Sequence, residues 1–279
     1  MSANSVIGIV SPGYMGSGLA LALHRGGARV VATVAGRSAR TARLAEGMDL
    51  LPSLDAVVEA AGVILVVIPP AEAVRAATEI AEAAARTGAR PLVVDMNAIS
   101  PSTVNAVAEA LNGLDLVDGS ISGPPPSVAD GTILYFSGPR AAEVTGLPWT
   151  GVVPTLLGPE LGTASAVKMC TASVYKGTAA LYVHAMVTAQ RHGVLDAVLN
   201  DLTRIEPRDV AKAATKAHRY VGEMHEIATT QAEAGLSPAL FTAIAETWSE
   251  VAKGDLAQGD PESIDSGIPA ADVATRLLP

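Results

Sequence analysis

The sequence predicts an α/β domain built on a doubly wound, mostly parallel sheet, followed by an all-α domain. Three observations predict it. Short β-branched runs alternate with Ala-rich helical stretches through the first half, the alternation stops near Gly158, and long helix-forming stretches almost free of turn signals follow. The 279 residues suit two domains, placed at 1–158 and 159–279.

The elements follow in order. Val6–Val10 is a short apolar strand before a Gly/Pro turn, and Ser17–Arg25 is a helix ended by Gly26-Gly27. Arg29–Val34 is the next strand, with helices over Ser38–Glu46 and Leu54–Ala60. Gly62–Ile68 is a continuous apolar run bounded by Gly and Pro-Pro, and its β-branched content favours a buried strand. Ala71–Arg86 is helical, Leu92–Asp95 a strand, Ser102–Leu111 a helix and Leu114–Asp118 a strand; Gly131–Ser137 and Val152–Leu157 add later strands. Strands alternating with helices imply right-handed crossovers and a sheet covered on both faces. From Thr163 to Arg191 there is no proline and one internal glycine, Gly177, so the stretch reads as one helix roughly 40 Å long at about 1.5 Å per residue. Helices over Leu195–Leu202, Arg208–Ala234 and Pro238–Lys253 follow, and the Gly/Asp/Pro-rich tail from Gly254 reads as loop.

Composition narrows the function classes. The net charge is −9, and no Lys/Arg run or basic stripe interleaved with aromatics occurs, which argues against nucleic acid as a partner. A single cysteine, Cys170, excludes an intrachain disulfide and a multi-thiolate zinc cluster. Met1 to Ser5 carry no positive n-region and no stretch is long and apolar enough to span a membrane, so the expectation is a cytoplasmic protein. Charged residues make up only 17% of the chain, and the C-terminal helices offer more apolar surface than their domain can hide alone. A homodimer built through those helices is expected.

The first strand runs into Ser11-Pro12-Gly13-Tyr14-Met15-Gly16 and then a helix. This is the spacing of the Rossmann dinucleotide fingerprint, with Ser11 in the first glycine position. Gly13 lets a pyrophosphate approach the backbone, Gly16 lets helix and strand pack closely, and the free N–H groups of the helix start attract the anion. The second strand decides between cofactors. An NAD site places Asp or Glu near its end, whereas this chain has Arg37, Ser38 and Arg40 after Thr33-Val34-Ala35-Gly36. Guanidinium and hydroxyl donors suit a 2′-phosphate, which points to NADP(H). Arg37 is also placed to stack on an adenine face. Ile68 and Pro69, at the exit of the apolar run from Gly62, complete the candidate cofactor set.

At this point the chain resembles the β-hydroxyacid dehydrogenase superfamily, which includes 6-phosphogluconate dehydrogenase, 3-hydroxyisobutyrate dehydrogenase and imine reductases, and within it the 6-phosphogluconate-dehydrogenase-like group with an uncharacterised C-terminal domain. The resemblance rests on the fingerprint with Met15, on Asp95-Met96-Asn97-Ala98-Ile99-Ser100-Pro101, on Asp118-Gly119-Ser120-Ile121-Ser122-Gly123-Pro124, and on Gly162 through Lys168-Met169-Cys170-Thr171-Ala172. It implies that Asn97, Ser122 and Gly123 line a substrate pocket and that Lys168 is the general acid/base of an oxidoreductase interconverting a hydroxyl and a carbonyl in a small polar, hydroxy-acid-like substrate. A lysine doing so at neutral pH must titrate below its ordinary ~10.4, through desolvation and the like charge of Lys176 two turns on. There are departures. Pro124 replaces the last glycine of the family's D-x-x-x-S-G-G motif, Ala172 stands where the family has Asn, the glycine-to-lysine spacing is longer, and the family's later Lys-Asp pair has no clear equivalent beside Gly222-Glu223-Met224-His225-Glu226.

Two further readings stay open. An imine reductase would use the same fold, with Glu223, Glu226 and Tyr175 as proton donors or iminium partners; a non-catalytic NADPH-binding regulator is the other, and the retained lysine and serine–glycine loop argue against it. Lys176 is the alternative proton donor to Lys168 if the register of the resemblance is off by two turns. The helix-spaced pairs His184/His192 and His218/His225 lack converging carboxylates in sequence, so no metal site is assigned. No nucleophile elbow occurs around Ser122 or Ser173, and Cys170 reads as a small apolar residue.

Overall fold

The computed structural model describes residues 6–202 and 206–278, apart from the side chains of His184 and Thr188. The leader residues Met1 to Ser5 and the His184 side chain therefore lie outside the described residues. Two compact units emerge, the first ending at Lys168 and the second starting at Met169.

The first unit is a Rossmann-type layer structure. Eight strands, β1 (Val6–Val10), β2 (Arg29–Ala32), β3 (Asp49–Leu50), β4 (Val63–Val66), β5 (Leu92–Asp95), β6 (Leu116–Ser122), β7 (Thr132–Ser137) and β8 (Val152–Gly158), form one sheet in the order 3-2-1-4-5-6-7-8. Pairing is parallel throughout except between β6 and β7. The order reverses between β1 and β4, and ligands of open α/β sheets bind at the carboxyl ends of the strands beside such a switch.

Helices cover both faces: α1 (Tyr14–Arg25), α2 (Ala39–Leu44), α3 (Leu54–Ala60), α4 (Ala73–Thr87), α5 (Pro101–Ala110) and α6 (Ala141–Thr145). The strands sort their side chains by the period-two alternation of a pleated sheet. Ile7, Ile9, Val63, Leu65 and Val94 join one core with Leu19 and Leu23 of α1 and Val144 of α6. Val10, Ile64, Val66 and Val93 join the other with Val58, Ile80 and Val104 of α3, α4 and α5. Glycine at position 8 permits close contact between β1 and α3, because a Cβ there would lie 2.9 Å from the Val57 side chain.

The helix α7 spans Thr163–Arg191, as the lack of turn signals predicts. It starts in the first unit and continues into the second, where α8 (Leu195–Asp201), α9 (Pro207–Ala214), α10 (Ala217–Glu233), α11 (Ala239–Val251) and α12 (Ala270–Arg276) follow. The units divide ten residues beyond Gly158, because the first turns of α7 are bonded to β6 and β7 as set out below.

Several boundaries differ from the sequence reading. The helix expected over Arg208–Ala234 breaks at Thr215–Lys216, where the Thr215 hydroxyl donates to the Lys212 carbonyl at 2.9 Å. The break contains neither Gly nor Pro. The tail beyond Gly254 is not loop: it carries α12 and buries Leu256, Val273 and Leu277. The helix after the first strand begins at Tyr14, inside the fingerprint, and β3 has only two residues, too few for a periodic signal.

Candidate active site

The fingerprint turn closes as its spacing implies. Ser11 adopts φ +26°, the left-handed region that a glycine occupies without cost. The amide of Gly13 donates to the Ser11 carbonyl at 2.8 Å, and a Cβ on Gly16 would lie 2.4 Å from that same carbonyl oxygen. Gly13 sits at the N-cap of α1 with no side-chain cap, and a Cβ there would meet nothing within 4 Å. The helix start therefore faces open space at Gly13, an arrangement that fits a pyrophosphate.

Beside it, a depression is lined by Val10, Ser11, Thr33, Ala35, Arg37 and Leu54, among others. Arg37 is exposed at its rim. Ser38 caps α2, accepting from the Thr41 amide at 3.2 Å, and the Arg40 guanidinium lies 5.9 Å from the centre of the Tyr14 ring. Thus the two arginines differ in setting: Arg37 borders the depression, and Arg40 leans on the first residue of α1.

Asn97 is buried and braces the ends of two strands. Its Oδ1 accepts from the Ile68 amide at 2.7 Å, and its Nδ2 donates to Asp95 Oδ2 at 2.8 Å. Its own amide donates to Asp95 Oδ1 at 2.9 Å. This fixes the exit of β4, Ile68 and Pro69, to β5. Burial pushes the Asp95 carboxyl up to about 7, helped by the charge of Asp118, against the two bonds from Asn97.

Asp118 faces Asp95 across the β5–β6 pairing and is wholly buried. Its carboxylate takes the Ser165 hydroxyl at 2.6 Å, the Ser165 amide at 3.0 Å and the Ser137 hydroxyl at 3.0 Å. Ser137 in turn accepts from the Ala164 amide, and the Ser120 hydroxyl donates to the Ala164 carbonyl at 2.8 Å. Desolvation raises the Asp118 pKa, and these donors act against it. The network clips the start of α7 to the sheet: an acceptor at the helix N-terminus satisfies donors that would otherwise be orphaned. One turn later, Lys168 Nζ donates to the carbonyl of Ile121 at 2.7 Å. The ammonium is thereby held at the carboxyl end of β6, next to Ser122.

Gly123 follows with φ +137°, and a Cβ would lie 2.8 Å from Thr132 Oγ1. The Thr132 hydroxyl donates to the Pro124 carbonyl. Pro125 and Pro126 are buried against α1, where a Cβ on Gly18 would meet them at 3.0–3.1 Å.

The remaining candidates lie in the second unit. Lys176 pairs with Glu223, their side chains 13% and 6% exposed. Tyr175 is exposed, and Ala172 is buried. Asp118 stands in the substrate-like motif of the sequence, and its structural partners are Ser137 and Ser165. Nothing in the sequence marks those serines, since the three residues meet only in space.

Comparison with known proteins agrees with this architecture. Residues 189–251 match a domain of unknown function, DUF1932. A conserved protein of unknown function, described as structurally similar to 3-hydroxyacid dehydrogenases, is 27% identical over 88% of this chain and 96% of its own, with a TM-score of 0.62. A 3-hydroxyisobutyrate dehydrogenase from Salmonella typhimurium shares the fold at 20% identity and a TM-score of 0.72, covering 94% of this chain and 99% of that one. A reductive aminase from Aspergillus terreus, solved with NADPH and ethyl levulinate, shares it at 15% identity and a TM-score of 0.54, covering 98% and 99%. Residues 6–147, half of the chain, match the NAD binding domain of 6-phosphogluconate dehydrogenase, and the chain belongs to that family.

Proposed function

We propose that this protein is an NADP(H)-dependent oxidoreductase that interconverts a hydroxyl and a carbonyl in a small, hydroxy-acid-like molecule, with Lys168 as the general acid/base. The observation that carries the reading is the Lys168 ammonium held on the Ile121 carbonyl. It stands beside Ser122 and Gly123, at the same carboxyl edge of the sheet as the fingerprint turn.

The nicotinamide cofactor, when bound, supplies or accepts the hydride. The chain's own residues do the rest. Ser11 through Gly16 and the start of α1 hold the pyrophosphate, and Ile68 and Pro69, braced by Asn97, border the cofactor. Arg37, with Ser38 and Arg40 nearby, receives the 2′-phosphate. Reduction of a carbonyl leaves negative charge on its oxygen, and Lys168 Nζ gives that oxygen a proton; in the reverse direction it removes the hydroxyl proton. Ser122 and the backbone at Gly123 orient the substrate. Lys176 and Glu223 engage each other, which supports Lys168 over either as the proton carrier. Imine reduction is the second reading: Ala172, buried one turn after Lys168, lacks the polar side chain that hydroxy-acid enzymes of the family carry there. We further propose a homodimer in the cytoplasm, with Val174, Leu181 and Leu240, all exposed and apolar on the C-terminal helices, in its interface. No described helix is long and apolar enough to cross a membrane.

The test is turnover of NADPH and of NADH with a panel of small ketoacids, ketones and cyclic imines, in native protein and in Lys168→Met and Arg37→Ala. Lys168→Met should lose about 10²–10⁴ in turnover with NADPH affinity kept. Arg37→Ala should weaken NADPH by roughly 1.5–3 kcal/mol and leave NADH unchanged. Equal native affinity for both cofactors would refute the NADP(H) assignment, and native turnover in Lys168→Met would remove the lysine from its role.

A further inference from the structure

The depression beside the fingerprint turn has a wall that phosphate binding does not explain. Besides Arg37 and the ends of β1 and β2, it is lined by Ala76 and Glu79 of α4. These two residues are three apart and share one face of the helix. Val10, Leu54 and Ala76 supply apolar lining, Arg37 puts a cation at the rim, and Glu79 puts a carboxylate on the α4 side.

Glu79 is held where it stands. The Arg75 guanidinium, one turn earlier on α4, donates to Glu79 Oε1 through Nη1. The same guanidinium is anchored on Glu72, at the N-cap of α4, donating to its Oε2 through Nε at 2.7 Å and through Nη2 as well. A cation tied between two carboxylates limits the freedom of the Glu79 side chain. The second oxygen of Glu79, Oε2, carries no bond among the described residues.

A carboxylate in a depression that receives an anionic dinucleotide has to meet an uncharged donor, since a phosphate there would face like charge. Away from its phosphates, the adenosine end of such a cofactor offers two kinds of donor: the ribose hydroxyls and the 6-amino group of the purine. With either nicotinamide cofactor the ribose lies by the end of the second strand, on the Arg37 side. The 6-amino group, at the far edge of the purine, is the donor left for α4. The apolar side chains of Val10, Leu54 and Ala76 suit the faces of a flat ring, and one placed polar group then fixes its orientation.

We propose that Glu79 selects the purine of the cofactor: its unbonded carboxylate oxygen accepts a hydrogen bond from the 6-amino group, and a base with a 6-oxo group is rejected because oxygen would face oxygen. The proposal rests on the dinucleotide site at Ser11–Gly16. It needs neither the role of Lys168 nor the preference for a 2′-phosphate.

The test measures binding by calorimetry on the full-length protein, so no turnover is required. The ligands are NADPH, NADH and the 6-oxo counterpart of each, in which hypoxanthine replaces adenine. Native protein should bind the 6-amino form roughly tenfold or more tighter than the 6-oxo form within each pair, the effect of a hydrogen bond to a charged acceptor. Glu79→Gln should still bind both forms and bring the ratio close to one, because its amide donates as well as accepts. Glu82→Gln makes the same charge change on an exposed part of α4 and should keep the native ratio. A native ratio near one, or a native ratio retained in Glu79→Gln, overturns the proposal and leaves the cofactor site standing. Loss of both forms in Glu79→Gln also overturns it, and no saturable binding of any ligand to native protein overturns it together with the cofactor site. Equal binding of NADPH and NADH, with a 6-amino preference that Glu79→Gln abolishes, upholds the proposal and removes only the NADP(H) assignment.

Discussion

Removing one oxygen atom, in Ser165→Ala, tests how α7 is held. The Ser165 hydroxyl donates to Asp118 Oδ1 at 2.6 Å, and both residues are fully buried. A hydrogen bond to a charged acceptor in such a place contributes about 1.5–3 kcal/mol. Alanine adds no bulk, leaves the Ser165 amide bonded to Asp118 Oδ2, and strips one donor from Oδ1. The first unit should lose about 2 kcal/mol. For a body of roughly this size each kcal/mol shifts the melting temperature by about 2–4 °C, so a drop of about 4–8 °C follows. Trp149 lies in the first unit, stacked on Phe136, so its emission follows that unit. Hydrogen exchange at Ala164 and Ser165 should accelerate by roughly 30-fold if the start of α7 opens locally. Because Lys168 lies one turn further on, turnover should fall while cofactor affinity holds. Native melting and native exchange at Ala164 and Ser165 in the variant would refute the clip.

Three further perturbations test other parts. Ser11→Gly removes the left-handed strain of a residue at φ +26°; set against the greater flexibility of glycine, it should leave stability within about 1 kcal/mol of native or raise it, and denaturant melts will show whether it instead destabilises by more. Asp95 titrates in the fold at about 7, above its unfolded value, so the stability it adds is present below the unfolded pKa and is lost as pH rises through about 7. The span is on the order of 4 kcal/mol between the unfolded pKa near ~3.9 and about 7; urea melts from pH 4 to 8.5 should show stability falling up to about pH 7 and levelling above it, and Asp95→Asn should flatten the profile with a fixed offset for one bond to Asn97. Gly123→Val forces a β-branched residue to φ +137° with its Cβ 2.8 Å from Thr132 Oγ1, and should cost roughly 1–3 kcal/mol as well as turnover, so a variant with native melting and native rate would contradict the reading of this turn.

Legibility followed the range of the interactions. The fingerprint was readable because strand, turn and helix are adjacent in sequence, and even its departure had a local meaning: Ser11 takes the backbone of the glycine it replaces. That the sheet is covered on both faces was readable from the apolar runs and the strand–helix alternation, and the side chains of Ile7–Val10 and Val63–Val66 divide between two cores. The Thr163–Arg191 helix was readable because nothing in it breaks a helix. The break at Thr215–Lys216 was hidden, because it contains neither Gly nor Pro and no residue there signals a helix end. The tail was misread because Gly254, Asp255 and Pro261 signal turns, and the packing of Leu256 and Leu277 overrides them. Asn97 could be placed at a site from its motif, yet its work as a brace between Asp95 and Ile68 depends on β4 and β5 lying side by side.

The proline run after Gly123 shows how a departure from the family pattern reshapes the site. Pro124, Pro125 and Pro126 have no N–H, so along these four residues Gly123 is the sole backbone donor that an anionic substrate group can meet. The run is also stiff, since each ring fixes φ, and Pro125 and Pro126 are buried against Gly18 of α1. A Cβ at position 18 would press them back by a few tenths of an ångström. The loop on the substrate side is thus seated on the helix whose first turn forms the fingerprint. A mobile Gly-Gly turn could adapt to its ligand, whereas this one is fixed before any ligand arrives. Under the proposed function, substrate recognition falls to the side chains around it, Ser122 and Lys168, and preorganisation replaces adaptability in the backbone.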